Sequence, residues 1–363
     1  MAALSTIEVI AAMISISVRA LRQFGCQSMM RGQFVVSECS MTKAIRIHAT
    51  GGPDVMVMED VDLPVPAKGE VRVRNHAIGL NFIDIYFRQG DYPAPLPFTP
   101  GNEGAGEVVA LGKGVEDFKV GDRVAYVSTL GSYAEERNVD AKALIKLPKS
   151  ISYEMGAAMM LKGLTAQYLL RRTFKVKEGD TILVHAAAGG VGLLLCQWGK
   201  ALGATVIGTV GSEAKAKLAR KAGAKHVINY NEEDFAARVK KITKGALCDV
   251  VYDGVGKTTF MGSLDCIRPL GTFVSFGSAS GAIDAFNIGL LAQKGSLFAT
   301  RPTLFTYIAK RKDYEASARD LMKAISRGDV TIPIHARYKL EDVVEAHQAL
   351  AGRATTGAAV LIP

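Results

Sequence analysis

The chain is short of cysteine: Cys26, Cys39, Cys196, Cys248 and Cys266 are the five in 363 residues, with no CxxC pair and no regular spacing. That count argues against a disulfide framework or a structural zinc site, and for a reducing compartment. No apolar run is long enough for a membrane span. Ile7 to Val18 falls short, and Glu8 spoils the charged start of a secretory signal. Internal repeats and low-complexity tracts are absent as well. The formal charge is +9, yet Lys and Arg are scattered, mostly on helix faces, and no aromatic–basic interleaving marks a nucleic-acid surface. A solvated surface accounts for the charge, and it suits a polyanionic cofactor. What is present, 48% hydrophobic and 22% charged residues with 37 glycines clustered after strand-like runs, describes a globular chain of about two domains.

Residues 1–40 differ from the rest: Arg19, Arg22 and Arg31, no lysine, several serines, and only Glu8 and Glu38 as acids. Two readings stand. One is a mitochondrial transit segment, and the other is an extension from a start codon assigned too early, since Met41 opens an ordered strand pattern. Either way the segment falls outside the fold. The expected compartment is cytoplasmic, or mitochondrial if the segment directs import.

The organising stretch is Thr181 to Lys200. Thr181 to His185 is a β-rich apolar run, Gly189-Gly190-Val191-Gly192 a tight turn, and Leu193 onward an apolar helix. Strand, glycine turn and helix present backbone N–H groups to a pyrophosphate at a helix N-terminus. The second strand run, Ala204 to Val210, ends about 20 residues past the turn, where the ribose is read. An NAD enzyme offers Asp or Glu there. This chain has Gly208-Thr209-Val210-Gly211-Ser212, with Lys215, Lys217 and Arg220 beyond. A missing carboxylate with nearby cations points to a 2′-phosphate, hence NADP(H). Glu213 is the counter-reading, though a first-turn acid is its simpler role. A solvated helix face is the bland reading of Lys215.

Along the chain from Met41, residues 44–48, 70–76, 107–111 and 122–126 read as short strands with Gly/Pro punctuation, a β-rich domain to about residue 160. Strands at 181–185, 205–210, 226–230, 249–253, 271–276 and 296–300 then alternate with helices near 190–202, 212–222, 233–243 and 257–267. That pattern predicts a doubly wound parallel sheet. Helices near 304–327 and 340–351 lead to a last strand, Ala358 to Ile362.

Asn81-Phe-Ile-Asp-Ile-Tyr86, Pro100-Gly-Asn-Glu-Gly-Ala-Gly106, Lys162-Gly-Leu-Thr165, the glycine turn, Val251-Tyr-Asp-Gly-Val-Gly256, Val274-Ser-Phe-Gly277, Thr300-Arg-Pro302 and Arg353-Ala-Thr-Thr-Gly357 add a specific signature. With these motifs the chain resembles the medium-chain dehydrogenase/reductases, in their zinc-independent quinone oxidoreductase (zeta-crystallin-like) branch. The resemblance runs from Met41 to Pro363. It implies an α/β protein: a GroES-like β-rich catalytic domain (41–160 and 303–363) plus a Rossmann domain with a doubly wound parallel sheet (161–302), and an active site in the cleft between them. The zinc-dependent members need a Cys, a His and a later Cys. Here Asn102 replaces the His and no Cys lies between Cys39 and Cys196, so no N/S ligand set exists and no metal is expected. Acceptors that take hydride without a Lewis acid, quinones and conjugated carbonyls, then follow.

The resemblance further implies that Asn81 and Tyr86 face nicotinamide and substrate, with a packing aromatic as the bland reading of Tyr86. Thr165 and Tyr168 contact the cofactor, and Gly190, Val191 and Gly192 hold the phosphates. Gly211, Ser212, Lys215, Tyr230 and Arg353 enclose the ribose and its 2′-phosphate. Phe276, Gly277, Ser278 and Ser280 lie where cofactors rest, and Thr300, Pro302 and Leu304 hold the carboxamide. Asp84 orders its loop, Arg301 lines the cleft, and His48 and His185 are structural histidines inside strands. The implied activity is NADPH:quinone reduction. An enone or alkenal double-bond reductase is the nearest rival, and an RNA-binding or crystallin-like protein the rival of another class. A homodimer through the edge strand Ser296–Arg301 is expected, as in relatives.

Overall fold

The computed structural model describes residues 40–352 and 357–363. The readings of the segment before Ser40, and the cofactor role given to Arg353, lie outside the described residues.

Strand β1 (Ser40–Ile47) pairs antiparallel with β2 (Met56–Leu63). The hub of the first domain is β3 (Glu70–Leu80), which pairs with β4 (Glu103–Leu111) and β6 (Glu136–Asp140). β5 (Arg123–Val127) joins β4 to β7 (Leu144–Lys146). Val71, Val73, Val108, Val124 and Tyr126 bury one face of this sheet as a core of their own. Helix α1 (Phe82–Gln89) starts directly after β3. Asn81 is its N-cap, and the N3 carboxylate of Asp84 accepts the Asn81 N–H at 2.8 Å, one arm of a capping box. Gly90, at φ 89°, ends it in the left-handed conformation that glycine adopts most cheaply.

Helix α2 (Tyr153–Tyr168) is shared. Its Ala157, Ala158, Met159 and Leu164 belong to one continuous core that takes in Ala77 and Ala105 on one side and Ile182 and Val250 on the other. The second sheet is β8 (Thr181–Val184), β9 (Thr205–Val210), β10 (His226–Asn229), β11 (Cys248–Asp253), β12 (Ile267–Ser275) and β13 (Phe298–Thr300), all parallel. Its order, β10-β9-β8-β11-β12-β13, reverses between β8 and β11. Helices α3 (Gly190–Ala201), α4 (Glu213–Lys221), α5 (Phe235–Ile242), α6 (Phe260–Asp265) and α7 (Gly289–Gln293) connect these strands. With both faces covered, the strands read as nearly unbroken apolar runs rather than alternating ones. Helices α8 (Leu304–Tyr307) and α9 (Arg311–Ser326), strand β14 (Ile334–Lys339), helix α10 (Val343–Ala351) and β15 (Ala358–Ile362) complete the chain. β15 returns to the first sheet, antiparallel to β3, so the GroES-like domain closes with the chain's last strand.

Several boundaries differ from expectation. The strand expected at 296–300 is only Phe298–Thr300, because Ser296 is left-handed at φ 56°. The helix expected over 304–327 is two helices. Lys310 is extended between them, and Tyr307 stacks on Tyr168 with ring centroids 4.4 Å apart. The helix expected at 257–267 shortens to Phe260–Asp265, since Asp253 Oδ1 takes the Val255 and Gly256 N–H groups into a turn. His48 lies past the end of β1, exposed, 2.7 Å from Glu59. His185 likewise follows β8 rather than lying in it, buried between the hydroxyls of Thr209 and Ser263. Among the described residues no helix is long and apolar enough to cross a membrane.

Candidate active site

A cleft of about 1160 Å³ opens where the carboxyl ends of the second sheet face α1 and the end of β3. Strand order reverses here, which is where open α/β sheets bind ligands. Its floor is the glycine turn. Gly189 is the N-cap of α3 and brings no capping side chain, so the first-turn N–H groups of Gly190, Val191 and Gly192 are presented to an anion. A Cβ on Gly192 would stand 2.2 Å from Ala186 O, so glycine alone lets helix and strand approach this closely. A Cβ on Gly190 would meet Cδ of Lys162 at 2.8 Å.

At the far end, Gly211, Lys215 and Tyr230 border the cleft. The Tyr230 hydroxyl occupies the space where a Gly211 Cβ would point, 2.5 Å away. Ser212 is not a lining residue: its hydroxyl caps α4 by accepting the Lys215 N–H at 3.3 Å. Glu213, the counter-reading, points elsewhere, 2.7 Å from Arg220, which holds its carboxyl below the usual range. Among the described residues, the mouth of a nucleotide site thus carries a cation and no carboxylate.

Past β12, Phe276, Gly277 and Ser280 border the cleft, as do Thr165, Tyr168, Pro302 and Leu304. Thr300 does not; it is held in β13 opposite Val274. Ser278 is not a lining residue, but it sits against the Tyr86 phenol. That contact ties α1 of one domain to the β12 loop of the other. Burial, first, pushes the Tyr86 phenol up, so it stays protonated and able to donate. Arg301 lines the cleft and donates to Ser275 O at 3.1 Å.

Asn81 also borders the cleft, but its amide is already engaged. Nδ2 donates to Glu103 Oε1 at 2.7 Å, and Oδ1 accepts from Lys162 Nζ. Lys162 also donates to Leu80 O at 2.9 Å and lies 3.6 Å from Glu103. Glu103 is fully buried, its second oxygen taking the Leu161 N–H at 2.6 Å. Burial pushes its carboxyl up, opposed chiefly by the Lys162 cation. Sequence reasoning missed this Lys162–Glu103 pair, although both residues stood in quoted motifs. A Lys and a Glu 59 positions apart carry no sign in sequence that they meet. The one signal was Gly79, where a Cβ would lie 2.3 Å from Glu103 Oε1.

Two family models match the chain: the alcohol dehydrogenase GroES-like domain over residues 67–149, and the zinc-binding dehydrogenase over 190–323. The quinone oxidoreductase of Pseudomonas aeruginosa is 53% identical over 89% of this chain and all of its own length. A 2-haloacrylate reductase of a Burkholderia species is 46% identical over 89% of this chain and 99% of its own. Among solved structures, Escherichia coli quinone oxidoreductase complexed with NADPH superposes with a TM-score of 0.87 at 48% identity, covering 88% of this chain and all of that one. The zinc in one of those descriptions does not fit these residues. Asn102 spends its Nδ2 on Ser128 O at 3.1 Å, Glu103 is paired with Lys162, and among the described residues no group of three or more His, Cys, Asp or Glu could hold a metal ion.

Proposed function

The chain belongs to the quinone oxidoreductase family of the medium-chain dehydrogenase/reductases, and from that premise we propose that it reduces quinones with NADPH in the cleft between its domains. The observation that carries the reading is the pairing of an uncapped glycine turn with Lys215, and no carboxylate, at the ribose end of one cleft. Bound NADPH supplies the hydride, and a quinone that accepts it needs one proton to leave as hydroquinone. The residues of this chain orient and stabilise. Gly190, Val191 and Gly192 hold the pyrophosphate by backbone N–H groups, and Lys215 with Tyr230 receives the 2′-phosphate, on a helix whose start Ser212 caps. Thr165, Tyr168, Phe276, Gly277, Ser280, Pro302 and Leu304 shape the wall for the nicotinamide half. Tyr86 donates a hydrogen bond to the acceptor oxygen as charge grows on it, and Asn81, fixed by Glu103 and Lys162, sets the height of α1. Thr300 acts by holding Arg301 and Pro302 in place.

Steady-state oxidation of NADPH and NADH with 1,2-naphthoquinone, 9,10-phenanthrenequinone and a 2-alkenal tests this. NADPH with quinone is expected to be fastest, and Lys215→Ala to lower kcat/KM for NADPH about 10- to 100-fold while sparing NADH, the cost of one charge-assisted phosphate contact. Equal use of NADH by the unaltered protein contradicts the phosphate site. Faster turnover of the alkenal favours the second reading, a double-bond reductase, which the 2-haloacrylate reductase at 46% identity supports.

We further assign a homodimer. β13 is the outer strand of its sheet, an unpaired edge open to a partner strand, and Phe298 on it and Leu270 nearby are each 62% exposed. Phe298→Glu is expected to sediment as a monomer; a monomeric unaltered protein contradicts the assignment. The proposed compartment is the cytoplasm, and fractionation that finds the protein in mitochondria would instead assign the first forty residues to import.

A further inference from the structure

Among the described residues, the side chains lining the cleft include three cations, Lys162, Lys215 and Arg301, and no carboxylate. Two of the three are accounted for. Lys162 spends its ammonium on Leu80 O, Asn81 Oδ1 and Glu103, and Lys215 stands at the ribose end. Arg301 has neither role. It follows β13 directly, is exposed in the cleft, and donates Nη1 to Ser275 O at 3.1 Å. Among the described residues it forms no ion pair, so Nε and Nη2 are left to meet a ligand.

The charge stands beside aromatic rings. Burial pushes the phenols of Tyr86 and Tyr168 up, and at each of them Arg301 opposes that push. One guanidinium is therefore within electrostatic reach of a ring from α1 and a ring from the end of α2. Phe82, Tyr86 and Tyr92 extend the first of these into a run, with successive centroids 5.9 and 5.3 Å apart, and Phe305 of α8 lines the same cleft. Aromatic walls favour a flat conjugated partner. A guanidinium with no carboxylate to neutralise it favours an anion, and its planar fork matches the oxygens of a carboxylate or sulfonate while lying well against rings. In the proposed mode of cofactor binding the phosphates already have partners, the Gly190–Gly192 N–H groups and Lys215, which leaves Arg301 for the second ligand.

We propose that Arg301 sets the charge of the preferred acceptor: the cleft selects conjugated ring systems that carry an anionic group, a carboxylate or sulfonate, and the guanidinium binds that group while Tyr86 meets the reacting oxygen. The kinetic consequence rests on the quinone reductase reading; the binding consequence does not.

Two arms test it on the full-length protein. In the first, protein saturated with NADP⁺ is titrated by calorimetry with 2-naphthoate and 2-naphthamide, which match in shape and differ in charge. Naphthoate is expected to bind about tenfold more tightly, the worth of one charge-assisted contact in a partly solvated site. The gap is expected to narrow as salt rises from about 0.02 M to about 0.5 M. Arg301→Gln, which keeps donors and loses the charge, is expected to abolish the gap, and Arg301→Lys to keep part of it. In the second arm, NADPH-dependent turnover of 9,10-phenanthrenequinone is compared with that of its ring sulfonate. The two differ in size and reduction potential, so the readout is how the ratio of their kcat/KM values changes between proteins. That ratio, sulfonate over parent quinone, is expected to fall about tenfold in Arg301→Gln, while NADPH affinity by fluorescence titration does not follow it. Naphthoate binding no tighter than naphthamide in the unaltered protein overturns the proposal, and so does a quinone ratio unmoved in Arg301→Gln. A loss equal for both quinones that tracks weaker NADPH binding also overturns it, by giving Arg301 to the cofactor. Absence of turnover with either quinone, with the naphthoate preference intact, sinks the functional reading instead and leaves this one standing.

Discussion

Lys162→Met is expected to lower the thermal midpoint by roughly 6–10 °C and to cut quinone turnover at least about tenfold. Methionine keeps a stem of similar length against Gly190, so the loss is electrostatic rather than a cavity. Three acceptors lose their donor: Leu80 O, Asn81 Oδ1 and Glu103. Glu103 is the costly one, because it is fully buried and its carboxyl is already pushed up by that burial. Removing one member of a buried ion pair costs about 3–5 kcal/mol, since the remaining charge must be neutralised or stay uncompensated. Asn81, freed on one side, lets the start of α1 drift, and turnover falls with it. The double variant Glu103→Gln/Lys162→Met is expected to be more stable than Lys162→Met alone. Calorimetry on the four proteins closes the cycle, and additive effects would mean that the pair is not coupled.

Gly192→Ala is expected to weaken NADPH binding about 100-fold and to destabilise the protein by about 1–3 kcal/mol. The added methyl lands 2.2 Å from Ala186 O and 2.9 Å from Ala187 C and Cα, all main chain. Ala186 is already left-handed at φ 52° and accepts the Gly189 N–H at 2.8 Å, so the turn has no slack to give. The first turn of α3 must move instead, taking the Gly190–Gly192 N–H groups away from the pyrophosphate. Gly189→Ala is the control. Its Cβ meets only Ala186 O, at 3.2 Å, which a shift of a few tenths of an ångström relieves, so its thermal midpoint should stay close to that of the unaltered protein. Fluorescence titration with NADPH and a melting curve for each read the outcome. Similar melting points for the two variants would contradict close packing as the reason for glycine at 192.

The second sheet and its cofactor were legible from the order of residues alone. Parallel strands covered on both faces must be apolar throughout, and a glycine turn between such a strand and a helix is a local feature complete within 20 residues. The absence of a carboxylate after β9 was equally local, so NADP(H) could be read from it. Legibility ended where a side chain's role depends on what meets it from another element. Asn81 stood in the sequence as a substrate-facing amide; the fold spends its polar atoms on Glu103 and Lys162, from β4 and α2. Asp84 stood as a loop-ordering acid; only the packing of α1 against Tyr133 and α10 turned it into one end of a buried chain reaching Arg88. The helix break at Lys310 and the late start of β13 were hidden for a related reason, since stacking of Tyr307 on Tyr168 and a left-handed Ser296 outweigh the periodicity around them. Periodicity and turn chemistry act over a few residues and are written in order along the chain. Burial and charge pairing act through space, and the partners they select at Glu103, Lys162, Asp84 and His347 exist only once β3, α1, α2 and α10 have come together.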